Sequence, residues 1–247
     1  MLRSIRTARA TLRSLRIYYG DHERAAAMDR LHGQFVSSGD LVFDVGAHVG
    51  DRIASFRRLG ARVVAVEPQR AMVRALRLLY GRDQAVTIEP VAVGGQAGRA
   101  RMLINSDNPT VSTVSPAFVA AAEGAPGWES QRWSEFTEVE VTTLDILIAR
   151  HGVPAFIKID VEGFEAEALS GLSRAVPALS FEFTTIQPEV ALACIEQCAA
   201  MGYARFNAAL GESQAMVDEW VGAKEISRWL SALPHTANSG DIYAAAA

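Results

Sequence analysis

Leu41 to Gly50, LVFDVGAHVG, constrains this chain more than any other stretch. Leu41, Val42 and Phe43 are apolar and β-prone, Asp44 follows, and Gly46 and Gly50 frame a turn that can lead into a helix. Glycine at those positions lets backbone N–H groups approach a ligand with no side chain in the way. The spacing is Asp-x-Gly-x-x-x-Gly rather than the Gly-x-Gly-x-x-Gly of dinucleotide folds, which argues against a pyrophosphate ligand. A plain strand-to-helix turn fits the same pattern, so residues further along the chain must decide its meaning.

From Leu41 onward short apolar runs alternate with amphipathic segments, the pattern of βα units in a parallel sheet. Arg62 to Val66 reads as the second strand, after a helix over Asp51 to Leu59. A helix over Gln69 to Tyr80 and a third strand over Ala85 to Ile88 come next. Ala155 to Ile159 and Leu179 to Phe183 read as two more strands around a helix over Glu165 to Leu172. A helix over Pro188 to Met201 leads to a strand at Tyr203 to Asn207, and Asp241 to Ala244 reads as a final edge strand. The reading is an α/β fold, with residues 1–40 a helical extension and 41–247 one doubly wound domain. An insert over about 94–142 breaks the rhythm with β-like runs at Arg99 to Ile104 and Glu138 to Val141. Its Trp128, Trp133 and Phe136 suit an acceptor pocket or simple packing of the insert onto the body, whereas Trp220 and Trp229 suit the core or an interface.

The net charge of -4 gives no general case for a nucleic-acid partner. Cys194 and Cys198 share a helix face with no further cysteine, so they read as small buried hydrophobes rather than a metal site or disulfide. No apolar run approaches the roughly 18 residues of a membrane span. Arg3, Arg6, Arg9, Arg13 and Arg16 recur at helical spacing with no acid among them. That pattern fits a solvated helix face, a targeting segment or a peripheral contact with an anionic membrane. Without a secretory signal, the default location is the cytoplasm.

Glu67 ends the strand VVAV about twenty residues after the glycine turn, where a carboxylate can accept from two ribose hydroxyls. The stretch FIKIDVEGFEAEALSGL, Phe156 to Leu172, puts Lys158 and Asp160 on one strand face, with Glu162 just beyond. Charges in a central parallel strand need partners or a cleft, and Glu182 in LSFEF is the partner expected for Lys158. Since open α/β sheets bind ligands at the carboxyl ends of their strands, Asp160 and Glu162 should share a crevice with Asp44 and Glu67.

DVGAHVG, VVAVEP, VAVGGQAG, TLDIL and above all IKIDVEGFEAEALSGL resemble the FkbM family of S-adenosylmethionine-dependent methyltransferases. The resemblance runs from Leu41 to Glu182, and the closing DIYA also suits it. His48 departs from the asparagine or similar residue frequent there. The resemblance implies a Rossmann-like seven-stranded sheet with helices on both faces, an antiparallel last strand and a β-rich insert before the fourth. It also implies that Asp44, Gly46, His48 and Gly50 hold the methionine portion of S-adenosylmethionine. Glu67 would hold the ribose, backbone near Val91 and Ala92 would flank the adenine, and Asp160 would face the methyl group. Asn108 and Ser112 would close over the cofactor, although such residues also make ordinary turns.

The expected activity is O-methylation of a small-molecule, sugar or glycolipid hydroxyl, with Asp160 the first candidate for the base and Glu162 the second. An acid favoured by a helix N-terminus accounts equally well for Glu162. Methylation of RNA or protein, and a non-catalytic cofactor-binding domain, are the competing classes. With no second and third ligand evident beside Asp160, the expected site is free of metal.

Overall fold

The computed structural model describes Arg13, Arg16, residues 20–217 and residues 219–246. Arg3, Arg6 and Arg9 of the basic N-terminal pattern lie outside the described residues, and Arg13 donates to the Asp107 carbonyl at 2.9 Å. In chain order come α1 (His22–His32), β1 (Leu41–Val45), α2 (Asp51–Arg58), β2 (Arg62–Val66), α3 (Arg70–Tyr80) and β3 (Val86–Glu89). β4 (Ala92–Val93) precedes the insert, which holds β5 (Gly98–Ile104), α4 (Pro116–Ala122) and β6 (Glu135–Thr142). The second half holds α5 (Leu144–His151), β7 (Phe156–Ile159), α6 (Glu165–Ser170), β8 (Ala178–Thr184), α7 (Pro188–Ala200), β9 (Tyr203–Leu210), α8 (Ala223–Ser231) and β10 (Ser239–Ala246).

Seven strands form one sheet in the order β3-β2-β1-β7-β8-β10-β9, and β10 runs antiparallel to both its neighbours. The Rossmann-like α/β architecture expected from the sequence is the one observed. β10 is not an edge strand, however. It lies between β8 and β9, with six of its eight residues buried, and β9 forms the edge. Its alanines are small enough to pack between neighbours on both faces, yet they give little apolar signal in sequence.

Period-two alternation divides the core between the sheet's faces. Phe43, Val45, Ile157, Ile159 and Phe181 pack with Leu144, Leu169, Cys194, Cys198 and Ile226 of the helices on one side. Val42, Val63, Ala65 and Phe156 pack with Leu31, Ile53, Phe56 and Leu76 on the other. Both cysteines are free and buried. α1 belongs to this second core, since Met28, Leu31 and His32 are buried and the His32 ring stacks on Phe56 with centroids 4.3 Å apart.

The insert's β5 and β6 form a three-stranded sheet with β4, in the order β4-β6-β5, and a satellite core surrounds Phe118. Trp128 and Trp133 meet Phe118 edge-on, and Trp133 Nε1 donates to the Val111 carbonyl at 2.7 Å, so both tryptophans serve packing. Phe136 is exposed beneath Arg101. Trp229 packs edge-on against Phe183, and Trp220 against Phe35. Among the described residues no helix is long and apolar enough to cross a membrane.

Candidate active site

The carboxyl ends of β1, β2 and β7 open on a cleft of about 820 Å³, counted to its mouth. Gly46, Ala47 and His48 form one wall, Glu67 and Gln69 a second, and Asp160, Val161 and Glu162 a third. Val91, Ala92, Val93 and Met102 make an apolar side, while Thr110, Ser112 and Thr113 of the insert close it from above. The structure thus brings Gly46, His48, Glu67, Ala92, Ser112, Asp160 and Glu162 to one cavity.

The first turn is fixed by backbone sterics. Gly46 has φ of 85°, and a Cβ there would stand 1.7 Å from the Asp160 carbonyl oxygen. Only glycine allows β1 and β7 to end so close together. His48 also adopts a left-handed φ of 45°, and burial pushes its imidazole below the usual value. Its backbone N–H donates to Glu67 Oε2 at 2.9 Å, and the Gln69 N–H donates to Oε1 at 2.7 Å. These bonds hold the Glu67 carboxylate in place and leave it lone pairs for a further donor. Burial nevertheless raises Glu67 to about 7, against the effect of the two N–H groups.

Asp44 lies one layer below, paired in register with Ala65 and Lys158. It is 1% exposed, and neither carboxylate oxygen has a hydrogen-bond partner among the described residues. Burial raises it to about 7, partly offset by Lys158. Gly50 does not face the cleft. With φ of 84° it begins α2, where a Cβ would strike Tyr80 at 2.7 Å and Leu76 at 2.8 Å. Asn108 is also turned away, its Nδ2 directed to Gln131 Oε1 at 3.3 Å and its backbone N–H to Asn105 Oδ1 at 2.9 Å. It shapes the insert's loop rather than lining the cavity.

Lys158 does not pair with Glu182. Its Nζ lies 2.5 Å from Asp160 Oδ2, and its register partner on β8 is Ser180, two residues short of Glu182. Burial works against the ammonium, but Asp160 and Asp241 hold its pKa above the ordinary lysine value. Lys158 is buried beneath the cleft and orients Asp160, which is partly open. Freed from Lys158, Glu182 joins Asp160 and Glu162, with one carboxylate oxygen from each within 4.8 Å of the others. The premise that Asp160 has no companion ligands is therefore corrected. Burial and then Asp160 raise both Glu162 and Glu182 well above the usual carboxylate range.

Arg52 and Glu212 line the cleft's other end and are not among the residues singled out in the sequence. Arg52 Nη2 is 3.3 Å from Glu212 Oε2, and Arg24 of α1 donates to the same oxygen at 2.5 Å. Burial opposes the Glu212 charge, yet Arg52 and Arg24 pull it down to about 2. Arg52 follows Gly50 by two residues, in the first turn of α2, which is a usable sequence clue. Glu212 comes from the loop after β9, for which spacing gives none.

Residues 44–233 match the model of the methyltransferase FkbM domain. The chain belongs to that family. A relative, 31-O-demethyl-FK506 methyltransferase FkbM of Streptomyces tacrolimicus, is 32% identical over 165 residues, 58% of this chain and 64% of the relative's length. Among solved structures, precorrin-6y C5,15-methyltransferase of Geobacter metallireducens is 11% identical with a TM-score of 0.44, covering 91% of this chain and 87% of its own. Burkholderia thailandensis 1,6-didemethyltoxoflavin-N1-methyltransferase is 12% identical with a TM-score of 0.45, covering 99% and 87%. The fold itself is established by the strand order described above.

The family's methyl donor is S-adenosylmethionine, and the cleft fits it on its own chemistry. Glu67 offers acceptor atoms for a ribose diol, and the Val91–Val93 and Met102 side suits a flat base. The unpartnered Asp44 oxygens below the glycine turn suit the ammonium end, and Arg52 suits a carboxylate.

Proposed function

We propose that this FkbM-domain protein methylates a hydroxyl oxygen of a small molecule, with a natural product, sugar or glycolipid as the acceptor class. The observation that carries this reading is the cluster of carboxylates beside the donor cleft, which offers acceptors for a hydroxyl proton. The relative from Streptomyces tacrolimicus is named for methylation at an oxygen of a natural product, which supports the same class.

When bound, S-adenosylmethionine supplies an electrophilic methyl group on a sulfonium. The chain's contribution is positioning. Gly46, His48, Glu67 and Ala92 would fix the donor, and Asp44 would sit under its ammonium. Asp160, held by Lys158, would accept a hydrogen bond from the acceptor hydroxyl and then its proton, with Glu162 the second group able to do so. Thr110, Ser112 and Thr113 would exclude water from above.

The test is transfer of a labelled methyl group to a panel of hydroxylated sugars, glycolipids and polyketides. Product should form with wild type and fall by roughly 100-fold or more in Asp160→Asn, with donor affinity retained. Label appearing only in RNA or protein would move the acceptor class. Donor binding with no transfer to any class would favour a non-catalytic domain.

A further inference from the structure

Three carboxylates within 4.8 Å of one another repel when ionised, and either retained protons or a shared cation relieves that repulsion. Lys158 neutralises only the Oδ2 side of Asp160. Glu162 is 7% exposed, and its carboxylate, one member of the cluster, has neither a hydrogen bond nor an ion pair among the described residues. Glu182 Oε2 is likewise buried with no partner, and the residue facing Glu182 on β10 is a further acid, Asp241. At the cleft's other end, by contrast, the Glu212 carboxylate is paired with both Arg52 and Arg24.

We infer that Asp160, Glu162 and Glu182 form a binding site for one oxygen-preferring divalent cation, magnesium or manganese, at the carboxyl ends of β7 and β8. All three ligands are hard oxygens, with no histidine or thiol among them, the donor set that suits magnesium or manganese rather than softer metals. Three protein carboxylates leave about three positions of an octahedral ion for water or an acceptor's oxygens. Two of the three holders line the methyl-donor cleft. The ion would therefore bind an acceptor through hydroxyl or carbonyl oxygens next to the one being modified, favouring vicinal diols and hydroxy-carbonyl compounds. This acceptor preference rests on the methyl-transfer reading of the cleft; cation binding does not.

The test is titration of the full chain with manganese alone, following free Mn²⁺ by electron paramagnetic resonance. S-adenosylmethionine affinity is measured separately by calorimetry. Wild type should bind one Mn²⁺ per chain, with magnesium competing, and Glu162→Gln and Glu182→Gln should each weaken it by about tenfold or more. Replacing one crowded acid by an amide of the same shape should leave both variants at least as heat-stable as metal-free wild type, so lost binding is not lost folding. No saturable Mn²⁺ binding by wild type, or equal binding in both variants, would overturn the site. Donor binding without Mn²⁺ binding sinks this inference alone, and Mn²⁺ binding without donor binding sinks the methyl-transfer reading alone.

Discussion

The backbone of Gly46 and the carbonyl of Asp160 are so close that a methyl group on residue 46 would lie 1.7 Å from that oxygen. One contact therefore sets both the donor turn and the position of the candidate base. Gly46→Ala combines this clash with a left-handed φ, and should lower stability by roughly 2–4 kcal/mol. Chemical denaturation measures that loss, and calorimetry should find donor affinity lost as well. A variant with wild-type stability and affinity would show that the strand ends can separate at no cost.

Lys158 stabilises Asp160 from below. Lys158→Met leaves the partly open Asp160 carboxylate without its ammonium, and should cost roughly 1–2 kcal/mol. Transfer should fall more than donor affinity does, because Asp160 loses its orientation. Kinetics beside donor calorimetry separate the two effects, and equal losses would make Lys158 merely structural.

Burial raises both Asp44 and Glu67 to about 7, from ordinary values near 4. Between those limits the folded chain holds more protons than the unfolded chain, so their contribution makes stability fall as pH rises from about 4 to 7. Glu212, pulled down to about 2, acts oppositely and loses its stabilising effect only as pH falls below about 4.5. Asp44→Asn should remove roughly 3 kcal/mol of the decline between pH 4 and 7, read from denaturation midpoints in the donor-free protein. An unchanged slope would mean that Asp44 is not raised.

The insert has its own small core, joined to the site by Thr113 Oγ1, which donates to the Glu162 carbonyl at 2.7 Å. Phe118→Ala should cost about 3–4 kcal/mol locally and loosen residues 105–133 while the seven-stranded sheet stays protected. Hydrogen exchange distinguishes this from global unfolding. Uniform loss of protection would show the insert to be part of the main core.

The sheet is largely legible in the sequence because strands such as Leu41–Val45 and Arg62–Val66 carry dense β-prone runs bounded by glycine or proline. The interior place of β10 is not legible, because Ala244–Ala246 gives a strand side chains too small to announce its burial. α5 and α8 escape a sequence reading as well, their short apolar faces lying among polar or loop-like residues. At the site, local spacing discloses Gly46, Glu67 and Asp160. Partnerships across strands depend on register, which the sequence does not display. The expected Lys158–Glu182 pair fails for that reason, and the same gap conceals the carboxylate cluster.

Glu67 gives the most direct test of the donor site, because its backbone bonds hold it at the cleft whether or not a ligand is present. S-adenosylmethionine should bind the full chain at one site, and Glu67→Ala should weaken it by roughly 30-fold or more through the loss of two ribose hydrogen bonds. Calorimetry should register this while the variant's far-ultraviolet circular dichroism stays that of wild type. Wild-type affinity in a folded Glu67→Ala protein, or no binding by the wild type, would contradict the account.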